Sequence, residues 1–416
     1  MKFQAPKGVS EYLPGRSVGF DHVRNTLTAA ALSAGYQLAE LPVFEDTELF
    51  ARGVGETTDV VTKEMYTFED RGGRSITLRP EGTAGVMRAV IEHGLDRGQL
   101  PVKLWYTGAF FRAERPQAGR YRQFYQLGVE AIGLNDPEID AEVIAVADRG
   151  LKTLGLKDYR LEITSLGDAP SRLAHRVDLD VFISKMDLDD ATRAKAAVNP
   201  LRLFDDKREV VKSQMSQAPL LIDYLSEESQ LHFSRVTSLL DSYGIEYVRN
   251  TSLVRGLDYY TGTTFEFVHE KLGAQSAIGG GGRYDGLMRQ LGGADLSGIG
   301  FGMGLDRILL ACEAEGLELL NLDGLDLFVI ALGSEAKFVA AGLVNSLRND
   351  GFNVDMSYGD RALKGAMKAA DKSGARFSLV VGEDEVTSGQ ISIKEMETGE
   401  SHAMTISTIA DFLDSF

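Results

Sequence analysis

Period-2 alternation runs through residues 103–112 and again through 121–130, with Pro116 and Gly119 between them, and this pattern commits the chain to an antiparallel hairpin. Because strand side chains alternate between faces, Arg122, Phe124, Gln126 and Glu130 leave the second strand on one side. Residues 111–125 also carry four arginines and four aromatic rings. A guanidinium makes planar, bidentate contacts with phosphate, and an aromatic face stacks on a nucleobase. A solvated, salt-bridged hairpin is the plainer alternative, but four guanidiniums interleaved with rings favour a phosphate-bearing ligand.

That local cluster stands out against a formal net charge of -17, which argues against long-range attraction to nucleic acid. Fields are screened over about 8 Å at physiological salt, so a phosphate beside the arginines feels them more than it feels distant carboxylates. The chain has 416 residues, more than one core comfortably fills, and two or three domains are expected. No apolar run is long enough to cross a bilayer, and the N-terminal residues lack the apolar stretch of a secretion signal. Cys312 is the only cysteine, which excludes intrachain disulfides and multi-thiolate metal sites and fits a reducing cytoplasm. The six histidines, His22, His93, His175, His232, His269 and His402, lack metal-ligand spacing, so no structural metal is expected.

Along the chain, helical spacing over 20–36 ends near Gly35, and 38–50 reads as extended through Pro42. A strand at 75–78 leads into a turn over 79–85 that opens a helix reaching His93. After the hairpin come a helix at 138–154 and a strand at 159–163. Residues 171–240 lose strand signals, gain charge and read as a helical insertion; strands resume at 245–248 and 263–268. Beyond 325, a strand at 327–330, helix at 335–349, strand at 353–356, helix at 361–373 and strand at 377–382 predict a compact βαβ-type domain. The expected fold class is therefore α+β, with divisions at 1–322, an insertion at 171–240 within it, and 325–416. On the helix at 361–373, Arg361, Lys364, Lys368 and Lys372 form one stripe, with Leu363, Met367 and Ala370 on the other. Solvated surface lysines are the commoner outcome, yet a second basic patch on an acidic chain invites an RNA partner.

Three further segments carry chemistry. Residues 255–262 bring Arg255, Asp258, Tyr259 and Tyr260 together between glycines, where hydroxyls can fix a polar ring and a guanidinium can neutralise developing charge. Gly279–Gly282 permits close backbone approach to a ligand, although a glycine run equally suits a flexible loop. Gly300–Arg307 alternates small residues and then begins a helix bearing Arg307, placing that side chain toward a phosphate lying across a sheet. Neither a Rossmann fingerprint nor a P-loop is present.

Taken together, these segments resemble the class II aminoacyl-tRNA synthetases, and the histidyl-tRNA synthetase family in particular, over essentially the whole chain. Residues 41–45 are similar to motif 1, the dimer-forming element; Phe111–Glu114 with its loop to motif 2; and Gly302–Arg307 to motif 3. Residues 255–260 and 280–285 resemble the two histidine-specific signature peptides, and 7–14 the family's N-terminal segment. The resemblance implies an antiparallel class II catalytic sheet flanked by helices and a C-terminal α/β anticodon-binding domain. It also implies catalytic roles for Arg112, Arg255 and Arg307, with Arg112 on the ATP α-phosphate, Arg307 on the γ-phosphate, and Arg255 in place of a general base or second cation. Phe124 would stack on adenine, and Glu114 completes the implied ATP site. Glu81, Thr83 and Gln126 would take the histidine amino group, and Glu130 and Tyr260 the imidazole. Arg255, Tyr259 and Tyr284 would complete that pocket. Arg115, Gln117 and Arg120 would meet the tRNA acceptor end, and Arg361, Lys364, Lys368 and Lys372 the anticodon. Expected partners are ATP with bound Mg²⁺, L-histidine and tRNA(His), in a cytoplasmic homodimer. A catalytically silent relative, the regulatory subunit of ATP phosphoribosyltransferase, shares the fold but usually lacks the 255–260 peptide and the last domain.

Overall fold

A computed structural model describes residues 3–56, 58–206, 208–319, 324–359 and 361–416, with the side chains at 195, 205, 274 and 275 left aside. The chain divides into two compact units, Met1–Leu319 and Leu320–Phe416. The expected division around 322 lies outside the described residues.

The first unit is built on an eight-stranded sheet in the order Gln37–Leu38, Val102–Phe111, Gln123–Ile132, Gly298–Gly304, Ala277–Arg283, Thr261–His269, Tyr159–Ser165 and Val248–Arg249. Its six long strands are mutually antiparallel, and only the two-residue strands at the edges pair parallel. The alternating hairpin forms with Val102 opposite Ile132 and Phe111 opposite Gln123. Helices Ser17–Ser33, Pro137–Thr153, Leu305–Glu315 and Glu227–Ser242 contribute Leu27, Ile144, Ile308 and Val236 to the core over one face, with Phe265 and Phe267 from the sheet. Burying each such side chain stabilises the fold by roughly 1.5–3 kcal/mol.

Gly279–Gly282 forms the interior of a central strand and is no flexible loop, because both neighbours hydrogen-bond to it. A Cβ at Gly281 would overlap the Gly300 carbonyl, and one at Gly280 would lie 2.8 Å from the Arg255 guanidinium. Glycine here clears space over the sheet for an arginine. The expected extended run through residue 50 stops early: Thr47–Val54 is helical, because the Asp46 carboxylate accepts from the Glu48 amide at 2.9 Å and caps the first turn.

Between residues 169 and 224 the chain folds into short helices with their own apolar cluster, including Leu179, Ile183, Leu203 and Met215. The following helix, Glu227–Ser242, instead packs Phe233, Val236 and Leu240 into the main core.

The second unit has a five-stranded sheet in the order Val354–Met356, Leu327–Ala331, Phe377–Val381, Gln390–Glu395 and Ser401–Thr405. The first three strands are parallel and the last two antiparallel. Helix Leu363–Ser373 buries Ala366 and Ala370, and Lys364, Lys368 and Lys372 are exposed as expected. Two expectations change: Arg361 precedes the helix, and Leu363, although in line with the Ala366–Ala370 stripe, is 47% exposed at the first helical position.

Candidate active site

The hairpin, the two glycine-rich strands and the helix beginning at Leu305 enclose a cavity of about 200 Å³. Arg112, Arg255 and Arg307 all line it, together with Glu114, Arg120, Phe124, Gln126 and Glu266. Three separate peptides thus deliver guanidiniums to one space, over a floor containing Gly279, Gly280, Gly302 and Gly304. Omitting side chains from that floor lets a large ligand approach the backbone.

Each arginine is oriented by a carbonyl, a carboxylate or a ring. Arg112 donates through Nε to the Pro80 carbonyl at 3.0 Å, and its guanidinium lies 5.3 Å from the Phe124 ring centroid. Arg307 donates to the carbonyls of Gly119 and Ala277, each at 2.7 Å. Arg255 pairs with Glu266 and lies over Tyr260, 5.5 Å from its centroid; its Nε is buried with no hydrogen-bond partner. Burial pushes the Arg307 pKa below the ordinary arginine range, and the charges of Arg112 and Arg120 push it further down. Burial also lowers that of Arg112. Crowded, desolvated guanidiniums of this kind gain by taking up an anion.

The connection between the hairpin strands folds over this cavity. Gln117 and Arg120 exchange backbone hydrogen bonds at 3.0 and 2.9 Å, and Arg120 pairs with Glu114 and, at 3.7 Å, with Glu64. Arg120 therefore faces the cavity and is not left projecting outward like the exposed Arg115 and Gln117. Arg122, expected on the same surface as Phe124, is drawn aside: its Nε donates to the Glu114 carbonyl at 3.1 Å and Nη1 to that of Lys7 at 3.4 Å.

Beyond Gln126 the same strand face enters a buried polar cluster. Glu130, fully inaccessible, accepts from the Thr83 hydroxyl at 2.7 Å, Tyr284 at 2.6 Å and Tyr106 at 3.2 Å. Burial raises its pKa to about 8; the hydroxyls oppose that rise, and the neighbouring Glu81 charge adds to it. Glu81 accepts from the amides of Thr83 and Ala84 at 2.8 and 2.9 Å, so it is fixed at the start of helix Thr83–His93, and Tyr259 donates to it at 3.3 Å. Its pKa is also raised by burial. The ring of Tyr260 stacks obliquely on Tyr259, centroids 4.7 Å apart. A cluster of two carboxylates and four phenols suits a small polar molecule bearing an amine and a hydrogen-bonding ring.

Sequence reasoning brought Glu81, Thr83, Gln126, Glu130, Tyr259, Tyr260 and Tyr284 to this region and missed Tyr106, Glu266 and Asp306. Tyr106 left one signal: Gly82 and Gly128 both lack side chains where a Cβ would overlap its ring. Glu266 interrupts the apolar pattern of Phe265 and Phe267. Asp306 accepts from the Tyr125 amide at 2.6 Å and from the Tyr12 hydroxyl, tying the N-terminal segment to the cavity wall.

A family model described as histidyl-tRNA synthetase matches residues 8–308, and one described as an anticodon binding domain matches 326–415. The histidine–tRNA ligase of Mycolicibacterium vanbaalenii is 62% identical over 398 residues, covering 96% of this chain and 94% of that protein. That of Corynebacterium kroppenstedtii is 58% identical over 408 residues, covering 98% and 96%. Among solved structures, apo S. aureus histidyl-tRNA synthetase superposes with a TM-score of 0.84 at 37% identity, covering 99% of this chain and 100% of that one.

Proposed function

The chain belongs to the histidyl-tRNA synthetase family, and from that premise we propose how its residues divide the work. The enzyme joins L-histidine to the 3′ end of tRNA(His) using ATP, through a histidyl-adenylate. The observation that carries the assignment of residues is the convergence of Arg112, Arg255 and Arg307 on one cavity beside the buried Glu81–Glu130 cluster.

In this reading the histidine carboxylate attacks the α-phosphorus of ATP and pyrophosphate leaves, with no protein nucleophile. Arg112 holds the α-phosphate, Arg307 the γ-phosphate, and Arg255 neutralises charge developing between carboxylate and phosphorus. Phe124 stacks on adenine, and Glu114 keeps Arg120 at the rim. Glu81, Thr83 and Gln126 take the substrate amine. Glu130 and Tyr260 take its imidazole, Tyr284 holds Glu130, and Tyr259 holds Glu81. The 3′-hydroxyl of the terminal adenosine then attacks the adenylate.

The residues present fit a Mg²⁺ carried by ATP: Glu114 and Glu266 line the cavity, each paired with an arginine, and their carboxylates would help hold it against the phosphate oxygens. When bound it offsets charge on those oxygens. Arg115 and Gln117, both exposed beside the cavity, and Arg120 face the acceptor end, and residues 325–416 bind the anticodon through Arg361, Lys364, Lys368 and Lys372. Residues 1–322 form the catalytic portion; within 171–240, the part before Glu227 is its insertion, a reading supported by the separate apolar cluster there and by the packing of helix Glu227–Ser242 into the main core. The enzyme works as a cytoplasmic homodimer, a reading supported by the exposed Val43, Phe44 and Phe68 in and beside the motif 1 segment. No described helix is long and apolar enough to cross a membrane.

Exchange of labelled pyrophosphate into ATP, measured with each of the twenty amino acids, tests this assignment. Exchange with histidine alone is expected. Exchange with none, or with another amino acid, would overturn it.

A further inference from the structure

Residues 254–260 carry Arg255, Tyr259 and Tyr260, yet they lie in no strand or helix. Their position must be set by tethers. On one side the Asp258 amide donates to the Val54 carbonyl at 3.2 Å. The Asp258 carboxylate also packs over Gly55, whose φ is +104°, and a Cβ there would lie 2.8 Å from Oδ2.

On the other side stands the helical insertion, separated from the segment by a cavity of about 430 Å³ lined by both. Three polar contacts bridge the two. Arg172, on helix Ala169–Ser184, donates to the Tyr260 carbonyl at 3.2 Å. Asn199 donates through Nδ2 to Asp258 Oδ1 at 3.1 Å, and Arg202 Nη2 lies 3.7 Å from the same oxygen. Asn199 is itself held, because its Oδ1 accepts from the Leu201 amide at 3.2 Å and caps the 3-10 turn Pro200–Asp205. Unlike a packed apolar wall, the two hydrogen bonds from Arg172 and Asn199 are directional, and each fixes one point of an otherwise irregular segment; Arg202 adds only the attraction of its charge.

We propose that Arg172, Asn199 and Arg202 are positioning residues for the amino-acid site: from the insertion, they hold residues 254–260 so that Arg255, Tyr259 and Tyr260 face the substrate. This rests on the assignment of that segment to the histidine site made above. A consequence is that displacement of the insertion alters histidine affinity before it alters ATP affinity.

The test uses a reciprocal pair of variants in the full-length enzyme. Asn199→Asp places a second carboxylate against Asp258 and should raise the histidine KM in pyrophosphate exchange by about tenfold or more, as expected for loss of a hydrogen bond to a charged group. The ATP KM and the melting temperature should hardly change. Adding Asp258→Asn restores the hydrogen bond with its polarity reversed and should bring the histidine KM back near the parental value, which a merely structural role for Asn199 would not produce. An unchanged histidine KM in Asn199→Asp, or a raised one that the second substitution does not rescue, would overturn the proposal. Arg255→Ala, run in parallel, separates the two levels: if it exchanges normally, the assignment of the segment fails; if it is inactive while Asn199→Asp is normal, only the tether fails.

Discussion

Arg112 holds its guanidinium over the ring of Phe124, 5.3 Å from the centroid, so the residue assigned to a phosphate and the residue assigned to the base constrain each other directly. Phe124→Ala should therefore raise the ATP KM by about 10- to 100-fold, the range expected for one lost base–aromatic stack. Phe124→Tyr should retain most of the affinity, and the histidine KM should move little in either variant. Initial-rate exchange kinetics with ATP varied at saturating histidine check this; equal losses for both substrates would mean the ring supports the strand rather than the base.

Glu130 gives stability a pH dependence of predictable sign. Burial raises its pKa from 4.5 to about 8, so the folded state binds a proton that the unfolded state releases. This contribution to stability is fully present below pH 4.5 and is lost as pH rises through about 8. Glu130→Gln removes the titration and should flatten the fall in melting temperature between pH 5 and 9, while weakening histidine binding. Melting curves across that interval decide it, and an unaltered slope in the variant would assign the pH dependence to other groups.

The Gly119 carbonyl accepts from Arg307, which ties the loop between the hairpin strands to the helix that begins at Leu305. Arg307→Met should free the loop, and trypsin should then cleave after the half-buried Arg120, which Tyr121 follows, faster than in the parent when ATP is absent. Unchanged cleavage kinetics would show that Glu64 and Glu114, through Arg120, hold the loop without Arg307.

Lys364, Lys368 and Lys372 share the exposed face of one helix. Replacing all three with Gln should weaken tRNA binding and lower the slope of log K against log salt by about 2–3, as for three lost phosphate contacts. Histidine-dependent pyrophosphate exchange should be untouched. A preserved slope would remove this helix from the RNA interface.

Much of this arrangement was legible in the sequence, for reasons specific to each element. The hairpin was readable because period-2 alternation has no helical counterpart, and its register carries Phe124, Gln126 and Glu130 into the site. Gly279–Gly282 was ambiguous: a strand of glycines has no side-chain pattern, and only the neighbours at 261–267 and 299–303 define it. The helix at Thr47–Val54 was hidden because the extended reading through Pro42 ran past the Asp46 cap. Tyr106 escaped because it meets Thr83 and Tyr284 around the shared acceptor Glu130, and these residues come from distant segments. The tether from Asn199 to Asp258 spans 59 positions and has no local signature.

The central claim is that Arg112, Arg255 and Arg307 act on a single triphosphate. Histidine-dependent pyrophosphate exchange by the three single alanine variants, with tRNA binding as the control for folding, tests it most directly. Each variant should lose about 10²-fold or more in exchange, as for removal of a preorganised charge-stabilising donor, while still binding tRNA. Parental exchange by any one of the three would contradict the claim for that arginine and break the shared site.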